Sequence, residues 1–218
     1  MNHVHKYLSK LFCSVGTTFA PIRFEPEGAA TDIQVVGEII HSCFISGYNC
    51  PIGRYTMHAT LKTLSHFDRA RVAHLKLEPE QEQFVDPLDL VFSELQGNAR
   101  PDLEHPFSIL VRHQIVGFFV LREKAALPQW APTGVITMHS FRVGRRYQGN
   151  GYGKAATGLA SQWISTNRPC VRRLMLTVEE DNVTAKRVYL KSGFLDTGAT
   201  YCDKFGVQNI LEYEIDFA

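Results

Sequence analysis

The stretch 145-RRYQGNGYGKAA-156, from Arg145 to Ala156, decides how the rest of the chain is read. Glycines alternate at 149, 151 and 153, two arginines precede them, and an apolar-periodic run follows. A glycine-rich loop that feeds a helix presents bare backbone N–H groups together with the positive end of the helix dipole, a combination suited to phosphate. Glycine allows the backbone to approach an anion with no side chain between them. Two familiar phosphate loops fail on spacing. In GxxxxGK[ST], Gln148 would hold the first glycine position and Ala155 the hydroxyl position. In GxGxxG, Lys154 would take the last glycine. Neither a P-loop nor a Rossmann site fits, and a loop whose glycines only permit a tight turn is the plain alternative.

The elements around the loop follow from periodicity. Gly134–Val143 (GVITMHSFRV) reads as the strand entering it, and a helix is expected from about Tyr152 to Thr166. Arg172–Val178 (RRLMLTV) reads as the next strand, and Val183–Lys191 as a helix stopped by Gly193. Upstream, Thr56–Leu64 reads as a strand. Phe67–Leu77 and Glu80–Leu95 read as helical pieces broken near Pro79 and Pro87. Pro106–His113 and Gln114–Glu123 form a hairpin around His113-Gln114. Phe194–Tyr201 and Asn209–Phe217 close the chain as a strand pair. Strand, loop, helix, strand and helix in the middle make an α/β unit with a mixed sheet.

Residues 1–53 differ in texture. Val4, Tyr7, Leu8, Leu11, Phe12 and Val15 recur at helical spacing, and Thr31–Phe44 carries Ile33, Val36, Ile39 and Ile40 on one side. Asn49 to Gly53 reads as a linker. The expected organisation is an N-terminal helical extension over 1–53, a packing or dimerisation appendage, and one catalytic-size domain over 54–218.

Composition narrows the function classes. The 218 residues are 44% hydrophobic and 21% charged with a formal net charge of +1, which gives no support to a nucleic-acid binder. No apolar run has the length of a membrane span. Five cysteines with no CxxC pair point to free thiols rather than to a zinc site or a disulfide framework, and no metal is expected. No secretory pattern opens the chain, although Met1–Phe24 lacks acids and carries Lys6, Lys10 and Arg23; a cytoplasmic protein is the default expectation.

Gln148-x-x-Gly151-x-Gly153 matches the (Q/R)xxGx(G/A) motif of the GNAT acetyltransferases. Downstream, 179-EEDNVTAKRVYLKSGF-194 resembles that family's second signature, with Asn182, Ala185, Tyr189, Gly193 and Phe194 in its places. The resemblance covers residues 55–218 and is sharpest over 136–198. It implies an α/β GNAT fold: a central mixed, mostly antiparallel, twisted sheet flanked by helices. It implies acetyl-CoA as cosubstrate and a homodimer by analogy.

Carried over residue by residue, the resemblance gives the backbone of Phe141, Arg142 and Val143 to the acetyl carbonyl and pantetheine. The amides of Gln148, Gly149, Asn150, Gly151, Tyr152, Gly153 and Lys154 are given to the pyrophosphate, with side-chain contacts from Gln148 and from Arg145 or Arg146. Asn182 and Ala185 would support the pantetheine side, and Tyr189 would protonate the departing thiolate. A satisfied core tyrosine is the plain alternative for Tyr189.

Amide formation also needs a base for the ammonium proton. The residues leave it open among Glu179, Glu180, His139 and a water chain ending on a carboxylate, with Glu179 as the catalytic choice. His139 alternates with Phe141 and Val143, which is expected to turn it to their side of the strand. The stretch 75-LKLEPEQEQFVDP-87 resembles bacterial spermine/spermidine-type members, and Glu78, Glu80, Glu82, Asp86, Asp89 and Glu94 could form a rim for a polycation. A solvated helix face is the alternative for such a run. Ser140 departs from that branch, which often carries a basic residue there. The expected partner is a small-molecule amine, a polyamine being one candidate; a protein or peptide N-acetyltransferase and a non-catalytic CoA-binding regulatory module remain as alternatives.

Overall fold

The computed structural model describes residues 59–203 and 206–215. The expectations for the segment 1–53 lie outside them. Among the described residues a seven-stranded sheet runs in the order β1-β2-β3-β4-β5-β7-β6. The strands are β1 (Ala59–Thr63), β2 (Glu104–Val111), β3 (Gln114–Glu123), β4 (Ile136–Val143), β5 (Arg173–Glu179), β6 (Leu195–Asp203) and β7 (Gly206–Glu214). Every neighbouring pair is antiparallel except β4–β5, so the expected mixed, mostly antiparallel sheet is found.

The helices are α1 (Arg69–Val72), α2 (Pro79–Glu82), α3 (Leu88–Gly97), α4 (Tyr152–Asn167) and α5 (Val183–Lys191). The upstream helical pieces are shorter than periodicity suggested. Pro79 does not break a helix but opens α2, and Pro87 stands directly before α3, positions where the fixed φ and missing N–H of proline cost nothing. The hairpin turn falls one residue earlier than expected. Arg112 and His113 both adopt positive φ (47° and 69°), the mirror-image turn whose twist suits a two-residue connection.

Alternation assigns the two faces of the sheet. Ile109, Phe119, Leu121, Ile136, Met138, Leu174, Leu176, Val178 and Leu211 pack with Tyr152, Ala156, Ala160 and Ile164 of α4. On the opposite face, Phe118 and Val120 pack with Val91, Phe92 and Leu95 of α3, and Met175 and Ile210 form a smaller cluster beside Trp130. The helices bearing the two motifs therefore share one face. No helix among the described residues is long and apolar enough to cross a membrane.

The C-terminal end of α4 is tied to the sheet by charge. Glu123, at the end of β3, is 2% exposed. Its carboxylate accepts hydrogen bonds from Arg168 Nε and Nη2 at 2.8 and 2.6 Å, and its Oε1 lies 2.8 Å from His105 Nε2. Trp163 contacts both partners, its ring tilted against His105 and lying under the Arg168 guanidinium. Burial alone would push the Glu123 carboxyl up; Arg168 and His105 outweigh it and hold the group below the ordinary carboxylate range. The stabilisation is thus fully present above the unfolded value of 4.5 and is lost as pH falls through the lower folded value. Glu123→Gln is expected to cost about 2–3 kcal/mol near neutral pH and to flatten the acid-side decline, which thermal unfolding at pH 7 and pH 4 would measure.

Candidate active site

β4 and β5 run side by side for only two register pairs, Ile136–Leu174 and Thr137–Met175. Beyond Thr137 they part. The cause is visible on the other side of β4: its register with β3 slips between Phe118 and Val120, and Ser140 takes a φ of 51°. An extra residue in one strand bends it and sharpens its twist, which leads β4 away from its parallel neighbour.

The bulge also resets which side chains share a face. Val120 opposes His139 and Phe118 opposes Arg142, and both Phe118 and Val120 face α3. Phe141 and Val143 pack instead on the α4–α5 side. The expectation that His139 faces the same way as Phe141 is therefore corrected, because one inserted residue reverses the alternation. His139 Nε2 shares a hydrogen bond with Thr137 Oγ1 at 2.7 Å. Desolvation, helped by the charge of Arg122, lowers its imidazole to about 3. It is a weak base.

Where the strands part, a cleft of about 600 Å³ runs from the glycine loop to Tyr189. Gly149 and Gly151 have φ of 77° and 78°, the left-handed region that glycine enters without penalty. Gly151 is the N-cap of α4 and makes no side-chain cap bond, and no acid lies in the first turn. Glycine thus offers no side chain to the first turn, and the helix dipole favours an anion there. A Cβ on Gly153 would come within 3.1 Å of Val188 Cγ1, so glycine lets α4 and α5 approach across the cleft. Lys154 and Lys191 add positive charge to the lining. These features fit a pyrophosphate.

Tyr189 lines the cleft as well. Its ring is held between Phe141 and Phe194 at centroid distances of 6.1 and 5.7 Å. Desolvation pushes its hydroxyl well above the ordinary tyrosine range. Asn182 caps α5, its Oδ1 accepting from the Ala185 N–H at 3.1 Å.

Of the residues singled out from sequence, Phe141, Arg142, Val143, Gln148, Gly149, Gly151, Tyr152, Gly153, Lys154, Asn182, Ala185 and Tyr189 line this cleft. Arg145, Arg146 and Asn150 are exposed and outside the lining. The Asn150 amide is turned to the carbonyls of Tyr147 and Gln148. Glu179 also stands outside it. By alternation it shares a face with Met175, opposite Leu174, Leu176 and Val178. Desolvation, then Asp203 and Asp181, raises its carboxyl.

The acidic run upstream is largely engaged within the chain. Glu78 caps α2, and Glu82 Oε1 accepts from the Leu77 N–H at 3.0 Å. Asp89 pairs with Arg69, and Glu94 with Arg122. Sequence reading missed Leu77, Gln81, Val85, Tyr147, Thr184, Val188, Lys191 and Ser192 in the lining. Val188 and Ser192 follow Ala185 at helical spacing and were legible from it; Gln81 and Val85 enter only through tertiary contact.

The acetyltransferase (GNAT) family model matches residues 69–194. An uncharacterized N-acetyltransferase of Bacillus subtilis is 32% identical over 111 residues, spanning 50% of this chain and 69% of the relative. The spermine/spermidine N(1)-acetyltransferase of the same bacterium is 22% identical over 142 residues, spanning 65% of this chain and 91% of its own. Among solved structures, AAC(6')-Ib in complex with ribostamycin and coenzyme A aligns at a TM-score of 0.59 with 15% identity, over 72% of this chain and 93% of that one. Spermidine N-acetyltransferase from Vibrio cholerae in complex with CoA and spermine aligns at 0.55 with 14% identity, over 72% and 95%. Both structural likenesses speak for the fold.

The His139 imidazole gives a pH test. Its folded pKa lies below the unfolded 6.5, so the unfolded state binds the proton first and stability falls as pH drops from about 6.5 toward about 3. His139→Gln is expected to remove that part of the decline, read from urea midpoints at pH 7.5 and pH 5, and imidazole NMR should find the native ring neutral at pH 5.

Proposed function

Because the chain belongs to the acetyltransferase (GNAT) family, we propose that it transfers the acetyl group of acetyl-CoA to a primary amine of a small molecule. The observation that carries this reading is a cleft joining a glycine-lined helix N-terminus to a desolvated tyrosine at the parting of two strands.

In this reading the amides from Gly149 to Lys154 hold the pyrophosphate, backed by the α4 dipole and by Lys154 and Lys191. The backbone of Phe141 to Val143, on a strand that β5 has left, holds the pantetheine arm and offers an N–H to the developing oxyanion. Acetyl-CoA supplies an activated thioester, whose C–S bond breaks as the amine forms the new C–N bond. Tyr189 keeps its proton at neutral pH and gives it to the departing sulfur. Glu179 takes the ammonium proton through water from the other face of the sheet, its raised carboxyl making it a better base than an ordinary one.

Polyamines are the first acceptors to test, since one relative is a spermine/spermidine N(1)-acetyltransferase. The engagement of Glu78, Glu82, Asp89 and Glu94 weakens the case for an acidic rim. CoA-thiol release should therefore be followed with spermine, spermidine, an aminoglycoside, simple amines and an amine-bearing peptide. Release with a small amine supports the proposal; release with the peptide alone assigns a protein substrate. Acetyl-CoA binding without turnover on any acceptor points to the regulatory module.

Two variants test the roles. Tyr189→Phe is expected to lower kcat by about 100-fold or more while acetyl-CoA binding is retained; equal turnover would remove Tyr189 from the mechanism. Gly151→Asp sets a carboxylate against the phosphates and should weaken acetyl-CoA affinity by about tenfold or more; unchanged affinity would sink the phosphate-loop assignment.

A further inference from the structure

We infer that Gln81 is a positioning residue for the cofactor loop: it buckles Gln148 in place, so that the loop presents its backbone, and not the Gln148 amide, to the phosphates. The inference rests on the acetyl-CoA reading of the cleft.

The argument is a count of donors and acceptors. Gln148 Nε2 carries two hydrogens. One is donated to the Val143 carbonyl at 3.0 Å and the other to Gln81 Oε1 at 2.8 Å. Gln148 Oε1 in turn accepts from Gln81 Nε2 at 3.3 Å. The orientation is not arbitrary. A main-chain carbonyl can only accept, so the Gln148 NH2 must face Val143, and the Gln81 oxygen must then face that NH2. Gln148 has no donor left for a phosphate oxygen. What it does is fasten the start of the glycine loop to the end of β4.

Gln81 is itself fixed. Its Oε1 also accepts from the Glu78 N–H at 3.3 Å, half of the capping box that starts α2. Two further ties join the same segment to the strand–loop unit. The Arg145 N–H donates to the Lys76 carbonyl at 2.8 Å, and Arg142 Nη2 donates to the Asp86 carbonyl at 2.5 Å. Arg142 is 4% exposed, so its guanidinium belongs to this seam rather than to solvent. The segment from Lys76 to Asp86 is thereby stitched to the loop at one end, to β4 at the other and, through Gln81, to the loop again in the middle. Gln81 and Val85 reach the cleft lining from it. Gln81 acts on the cofactor through Gln148, setting where the loop amides stand.

Gln81→Met keeps length and volume and removes both hydrogen bonds to Gln148, together with the one from the Glu78 N–H. It is expected to raise the KM for acetyl-CoA about fivefold, with kcat and the acceptor KM within about twofold of wild type. Gln148→Met should behave alike, and the double variant should be no worse than Gln148→Met alone, since both break one buckle. Wild-type KM in Gln81→Met, or effects that multiply in the double variant, would overturn the inference. Titration of wild type with acetyl-CoA separates the two layers. No binding removes the cofactor reading and the buckle with it, whereas binding that is equal in wild type and Gln81→Met removes the buckle alone.

Discussion

The molecule is organised around one inserted residue. β4 carries a bulge at Ser140, β4 bends, and the only parallel pair among the described strands separates after Thr137. A paired strand has no backbone groups to spare for a ligand; a strand released from its neighbour does. The cleft therefore opens along the freed end of β4, where Phe141, Arg142 and Val143 join its lining. Everything that flanks it serves this opening. Gly153 lets α4 and α5 close upon it, and the ring series Phe119, Phe141, Tyr189, Phe194 and Tyr213 carries the position of β4 across to the tyrosine.

Buried polar groups hold the two ends of this arrangement. At the C-terminal end of α4, Arg168 and His105 converge on Glu123, fixing the far end of the helix whose N-terminus meets the cleft. At the other end, Arg142 and Gln148 fasten the segment before α3 to the strand and loop. Desolvation lowers the Arg142 guanidinium to about 10, with Glu82 and Asp86 opposing the drop, so it stays charged at neutral pH. Such buried, hydrogen-bonded charge is worth little as net stability and much as geometry: each partner constrains where the other can be.

The acidic stretch around Glu78 to Glu94 shows how composition misleads. Read as a row of carboxylates it suggests an attractive field for a polycation. In the fold, a helix cap, a backbone N–H, Arg69 and Arg122 take up most of these groups. The charges are there, but their geometry is that of a scaffold for the segment bearing Gln81.

Legible in the sequence were most of the strands, α4 and α5, the glycine loop at the start of α4 and the spacing of Ala185 and Tyr189 on α5. These are set by interactions within a few residues: helix period, strand period, and the backbone freedom of glycine. The face of His139, the parting of β4 from β5, the position of Glu179 outside the cleft lining and the partner of Gln148 follow from long-range packing alone. A bulge changes no composition and no motif, yet one extra residue turns every side chain before it to the other face. Gln81 and Gln148 meet because a short helix folds back over the loop, and no local pattern in either segment records that contact.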